Sequence, residues 1–226
     1  MDIFTTSALW FSSPYEYNDP FDFRIIDSGC YTTAEIEDYL LRLNTFPPAQ
    51  AHAEATRLQA NPPQLASLIE QAKRTVFQKK GVLCLSSLRD SILMWSHYCN
   101  KHKGVVLEFD VAQDAALFSI PLNVDYSPLY PDTRLLAQGT DAVKTCIKTK
   151  HDSWAYEKEV RIVKHKQGQV PFLKRSLTAV YFGCQATTQT LQDVTRHLVN
   201  HGFGHTKRYR AVMNPSAFQL DFELLP

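Results

Sequence analysis

The chain has 226 residues, 44% of them hydrophobic, 12% aromatic and 21% charged, which is long enough for a self-sufficient core and too apolar for wholesale disorder. Lys+Arg 24 against Asp+Glu 23 leaves a formal net charge of +1, so no global field draws the protein to DNA or to an anionic membrane. No apolar run approaches the ~18–20 residues that span a bilayer, and the opening MDIFTTSALWF lacks the basic start and cleavage site of a signal peptide, so a soluble, cytoplasmic protein is expected.

Residues 8–12 read as a short strand ended by Ser13-Pro14, and Asn18-Asp19-Pro20 makes a turn between Tyr17 and Phe21. Thr32 followed by Glu35 forms a capping box, and Ile36, Tyr39, Leu40 and Leu43 follow at helical spacing until Pro47-Pro48 ends the helix. Pro62-Pro63 opens another, with Leu65, Ile69, Ala72 and Val76 on one face and Gly81 after it. The stretch 30–80 is therefore predicted to be a helical insertion, a lid or cap on a single domain spanning 1–226.

From residue 82 the texture changes. VLCLSS predicts a buried strand over 82–87, and Asp90 or Ser91 starts a helix that runs to His102 and is closed by Gly104. Strands follow at 105–111 and 121–126, a helix across 135–150, strands at 159–164 and 178–183, a helix at 188–201, and two closing strands in RYRAVM and FQLDF. With few helices interleaved among about seven strands, the fold is predicted as α+β with a mixed, largely antiparallel sheet.

The balanced total hides an asymmetry: residues 1–40 carry eight acids and one base, Arg24, whereas 144–175 carry nine Lys/Arg and three acids. Such basic ground either solvates a face or holds a phosphorylated ligand or RNA. The five cysteines are odd in number and contain no CxxC pair, so they are expected to be reduced and mostly buried. His197, His201 and His205 fall at i, i+4, i+8, but Gly202 and Gly204 break the helix before His205 and no carboxylate accompanies them, so no metal is assigned.

Three clusters can carry chemistry. In the first, Asn18 and Asp19 either orient a ligand from their turn or cap their own backbone. In the second, Ser86 and Ser87 end a strand, while Met94, Trp95, His97 and Tyr98 crowd one short helix; such a group packs a core or stacks on a flat heteroaromatic ring. In the third, Glu157, Glu159 and Arg161 alternate along one side of a predicted strand. At a surface edge they form a solvated Glu–Arg ladder; buried, they are costly unless paired.

The runs SSP-x-x-Y-N-D-P-F-D, CLS, MWSHY-C-x-x-H-K-G-V-x-x-E-F and W-x-Y-E-K-E-V-R-I, between residues 9 and 183, resemble a widespread bacterial family catalogued as a domain of unknown function (family two-nine-seven-one). More distantly, the order of strand CLSS, helix ending at Tyr98-Cys99, Gly104 and strand GVVLEFDV is similar to the middle of the ADP-ribosyltransferase fold. In its poly-ADP-ribose polymerase branch a strand leads to a helix whose final tyrosine stacks on nicotinamide, and a catalytic glutamate follows on a later strand. By that resemblance Tyr98 is the stacking tyrosine, Ser86 and Ser87 lie beside nicotinamide, and Glu157-x-Glu159 is the glutamate motif. Those enzymes also carry a His or Arg on an opening strand, for which this chain has no matching residue.

The resemblance implies an ADP-ribosyltransferase-like enzyme that takes NAD as substrate and modifies a protein or nucleic-acid acceptor, in a toxin or phage-defence setting. Glu159 is then the catalytic carboxylate with Glu157 assisting, Tyr98 and Trp95 flank the base, and Arg161 or Arg24 lies near the phosphates, with Asn18 and Asp19 also on the ligand. Cleaving the nicotinamide–ribose bond passes through an oxocarbenium-like state that a carboxylate stabilises. Two other readings stand beside it. One is a non-enzymatic module holding a nucleotide or RNA; the other is a metal-dependent hydrolase or nuclease built on Asp19, Asp22 and Glu157, whose spacing is not that of metal ligands.

Overall fold

The computed structural model describes residues 2–226, whose fold is α+β with mixed sheets. Two compact units emerge from the chain's internal contacts. One runs up to Ser12 and resumes at Val82–Asn123 and Ser153–Pro226; the other comprises Ser13–Gly81 and Val124–Asp152. Among the described residues no helix is long and apolar enough to cross a membrane.

Among its described residues the first unit holds three sheets, the smallest being the antiparallel pair of Ala8–Phe11 with Gly168–Pro171. Strand Leu177–Phe182 has Lys207–Met213 parallel on one side and Val105–Phe109 antiparallel on the other, and Leu220–Leu224 completes the four strands at the edge. A three-stranded sheet places Glu159–Lys164 between Gly81–Ser86 and Leu122–Asn123. Leu83, Leu85 and Ile162 from this sheet share one apolar cluster with Leu107, Val180 and Phe182 from the other. The strict period of two along a strand sends Ala179 and Tyr181 to the opposite face, where they meet Trp95, Cys99 and Ala211. Strand Leu177–Phe182 is thus covered on both faces, and five of its six residues are buried.

Several predicted elements divide where the backbone must turn. The strand expected at 121–126 splits into Leu122–Asn123, which pairs with Glu159–Lys164, and Asp125–Tyr126, which pairs with Thr149–Lys150 in the other unit. The helix expected across 135–150 becomes Leu135–Gln138 and Thr140–Lys148, because Gly139 adopts φ +53 between them. The helix expected to reach His102 stops at Tyr98. Beyond it Asn100, Lys101 and His102 are all left-handed (φ 47, 55 and 64), which folds the chain back so that His102 N–H reaches the Trp95 carbonyl at 3.1 Å and Gly104 N–H the Cys99 carbonyl at 2.8 Å.

The second unit carries the predicted helices and one that was not foreseen. The capping box forms as read: Thr32 Oγ1 accepts from Glu35 N–H and Glu35 Oε2 accepts from Thr32 N–H, opening Thr33–Arg42. Pro47-Pro48 is not what ends that helix, which stops at Arg42 ahead of left-handed Asn44; it opens Pro48–Gln59, whose buried stripe is Ala51, Ala55 and Leu58. Alanines carry too little apolar weight to register as a hydrophobic face. Pro62–Gln78 follows, with Leu65, Ile69 and Ala72 inward. Asp27 ties the helices to a short parallel ladder, its Oδ2 accepting from Tyr31 O–H at 2.6 Å and Leu135 N–H at 2.8 Å. All five cysteines are free; Cys99 and Cys146 are buried, whereas Cys30 is exposed, contrary to the expectation of mostly buried thiols.

Two backbone segments pack tightly at Gly183. A Cβ there would stand 2.0 Å from the His102 carbonyl oxygen, while Gly183 N–H donates to Gly104 and Gln185 N–H to His102, both at 3.0 Å. Gly183→Ala must push apart two backbone segments rather than a flexible side chain. We expect it to cost at least about 2 kcal/mol, read as a fall in the denaturant midpoint at unchanged slope.

Candidate active site

The end of strand Gly81–Ser86 meets the start of strand Glu159–Lys164, and hydroxyls fix the junction. Ser86 Oγ donates to the Glu157 carbonyl at 2.6 Å and accepts from Leu88 N–H at 3.0 Å. Ser87 donates to the Lys158 carbonyl through both its N–H, at 3.0 Å, and its Oγ, at 3.2 Å. Between the two glutamates Lys158 is left-handed (φ 44). Glu157 is consequently the last residue of the 3-10 turn Asp152–Glu157 and Glu159 the first of the strand. They do not alternate along one strand, as their spacing had suggested.

Each carboxylate has a different partner. Tyr98 O–H donates to Glu157 Oε1 at 2.6 Å. Glu159 receives a two-point grip from Arg161, Nε to Oε1 at 2.7 Å and Nη2 to Oε2 at 3.1 Å. All three charged groups are buried: Glu157 is 4% exposed, Glu159 5% and Arg161 0%. The solvated Glu–Arg ladder is therefore excluded, because edge exposure is what it requires. Tyr98, by contrast, is 52% exposed, so it offers a ring face while its hydroxyl is held inside. Burial of that hydroxyl, and next its bond to Glu157, pushes Tyr98 ionisation far above the usual tyrosine range. His97 packs edge-on to Tyr156, which in turn lies against Trp154, extending an aromatic wall from the same segments.

Of the residues singled out in the sequence, Ser86, Ser87, Tyr98, Glu157, Glu159 and Arg161 belong to this cluster, the serines through backbone rather than through a ligand-facing hydroxyl. Trp95 does not flank a ligand: it is buried in the core, and its indole N–H donates to the Arg89 carbonyl at 2.7 Å. Asn18, Asp19 and Arg24 belong to the other unit. There Asp19 Oδ1 caps Phe21 N–H at 2.8 Å, and Arg24 lies over the Tyr130 ring at 5.5 Å. Asp19 and Arg24 also line a cleft of about 510 Å³ with Tyr15, Tyr17, Lys73 and Arg74. His197 and His201 stack at 5.6 Å, and no group of three or more His, Cys, Asp or Glu among the described residues is arranged to hold a metal.

A polar chain that sequence reading missed runs from Arg89 through Tyr181 to Glu108. Arg89 Nη1 donates to Tyr181 Oη at 3.0 Å, and Tyr181 O–H donates to Glu108 Oε2 at 2.7 Å. Its three members come from separate elements, so no local spacing announces it. Burial, then the bond to Glu108, raises the Tyr181 hydroxyl to about 12.

Two outcomes follow. The Tyr98 and Tyr181 protons are held more tightly in the fold than in the unfolded chain, where a tyrosine releases its proton near 10. Their contribution is complete below pH ~10 and is lost as pH rises above it, through about 12 for Tyr181. Melting temperature should fall across that alkaline range, and less steeply in Tyr98→Phe. Glu159→Gln withdraws the carboxylate that grips a fully buried guanidinium and should cost about 3 kcal/mol in chemical denaturation.

Residues 94–162 match a family model described as "Protein of unknown function (DUF2971)". That span takes in Tyr98, Glu157, Glu159 and Arg161 and leaves out Ser86, Ser87 and the Asn18–Asp19 turn, so it is narrower than the 9–183 over which the motifs suggested a likeness. No curated protein and no solved structure matches the chain. What the comparison supports is likeness to this family of proteins of unknown function over residues 94–162.

Proposed function

We propose that the chain is an ADP-ribosyltransferase-like enzyme that takes NAD as substrate and transfers ADP-ribose to a protein or nucleic-acid acceptor, in a toxin or phage-defence setting. The observation that carries this reading is the half-exposed Tyr98 ring whose hydroxyl is bonded to the buried Glu157, beside the Glu159–Arg161 pair. Buried carboxylates are expensive; Arg161 offsets that cost at Glu159, and a second buried carboxylate, Glu157, beside a half-exposed ring marks a candidate functional site. Tyr98 supplies the face on which a nicotinamide ring stacks. Glu157, joined to that ring, opposes the positive charge that grows on the ribose as the glycosidic bond lengthens. Glu159, gripped at two points by Arg161, holds the start of the strand next to Glu157. The roles that the sequence suggests for the two glutamates are thus exchanged in this reading.

A second reading, a non-catalytic module for nucleotides or RNA, draws on the cleft in the other unit, where the Tyr15 and Tyr17 rings accompany Arg24, Lys73 and Arg74. Incubation of the full chain with labelled NAD and lysate separates the two. The transferase reading expects nicotinamide release and labelled macromolecule, both reduced at least about 100-fold in Glu157→Gln, measured on protein whose folded state is checked by circular dichroism. Absence of turnover in the parent, with RNA affinity that falls in Arg74→Ala, is the outcome expected of the binding module and would end the transferase reading.

A further inference from the structure

Away from the Tyr98–Glu157 cluster, the first unit contains a cavity of about 460 Å³ between the hairpin loop 213–220 and the segments around His102 and Cys184. Three observations meet at His102. It closes the run of three left-handed residues, an uncommon conformation away from glycine and asparagine that persists where the surroundings enforce it. Its ring lies nearly parallel to Trp95, at 11°, and its carbonyl is pinned by Gln185 N–H against Gly183. Its Nδ1 is buried with no hydrogen-bond partner among the described residues. A buried N–H without an acceptor is costlier than a bare ring nitrogen, so the proton belongs on Nε2, and that edge of the imidazole is a donor.

The rest of the lining narrows the occupant. No Lys, Arg, Asp or Glu borders the cavity, so nothing there compensates a formal charge. Met213 and Cys184 present sulfur, which packs well against aromatic rings, and Phe218 projects wholly exposed from the loop. Gln185 adds an exposed amide that can both donate and accept. The volume is within the range of small-molecule sites.

We infer that this cavity binds an uncharged heteroaromatic ring with an amide-type edge, its carbonyl oxygen accepting from His102 Nε2–H, its N–H donating to Gln185, and its faces covered by Phe218 and Met213. The site is independent of the transferase reading and stands or falls without it.

The test uses the full chain and 2-quinolinone, a neutral bicyclic lactam, with 2-naphthoate as an anionic ring system of similar size. In an NMR titration the lactam should give saturable shifts at His102, Cys184 and the 213–220 loop below about 1 mM, while 2-naphthoate binds roughly tenfold or more weakly. Phe218→Ala removes a fully solvated side chain and leaves the fold intact; His102→Asn keeps a residue type that tolerates the left-handed backbone. Each should weaken lactam binding roughly tenfold. No saturable shift, shifts centred elsewhere, naphthoate binding as tightly, or Phe218→Ala binding like the parent would each overturn the inference.

Discussion

The buried grip of Arg161 on Glu159 constrains more of the first unit than any other single contact. A guanidinium without exposure is tolerable only where carboxylate and hydrogen bonds replace water, so strand Glu159–Lys164 sits in its sheet only with that pair closed. The pair fixes the first residue of the strand. Lys158 must then turn left-handed, which swings Glu157 out of the strand direction and into the reach of Tyr98. The Ser86 and Ser87 hydroxyls take up the carbonyls that this turn would leave unpaired. Salt bridge, strained turn and phenol–carboxylate bond are thus one mechanical object, with the sheet as its anvil.

How much of this was legible depends on whether the governing contact is local in sequence. The capping box at Thr32 and Glu35 was readable because both partners lie within one turn, and Tyr98 and Glu157/Glu159 were singled out by aromatic crowding on one helix, by alternation and by the resemblance. The division of 121–126 between two ladders was not readable, since nothing in LNVDY marks a change of partner. The Pro48–Gln59 helix hid behind an alanine face, and the aromatic crowding around Trp95 left core and ligand platform both open until its burial decided for the core. Glu157 was read as strand because alternation counts residues and is blind to one left-handed φ between them.

That blindness has a common cause at both places where it mattered. Left-handed conformation is expected of glycine, yet Lys158 and the run Asn100–His102 adopt it with full side chains. In each case tertiary contacts enforce what local preference opposes: the Ser87 bonds at Lys158, and the Gly183 and Gln185 contacts at His102. Glycine does appear, but on the opposing segment, where Gly183 makes room for the His102 carbonyl. The strained residue keeps its side chain, and the freedom is supplied across the gap.

Helix Ile92–Tyr98 then has two outputs from one end. Its last residue presents the ring bonded to Glu157, and the left-handed run that follows immediately presents His102 to the cavity under the 213–220 loop. Trp95, buried between, stacks on His102 and anchors through Arg89, so it belongs to the scaffold of both places without facing a ligand in either. A helix of seven residues owes little stability to its own hydrogen bonds. Its position is set instead by the packing of Trp95 and Cys99 against the four-stranded sheet, and the orientation of Tyr98 and His102 is inherited from that packing.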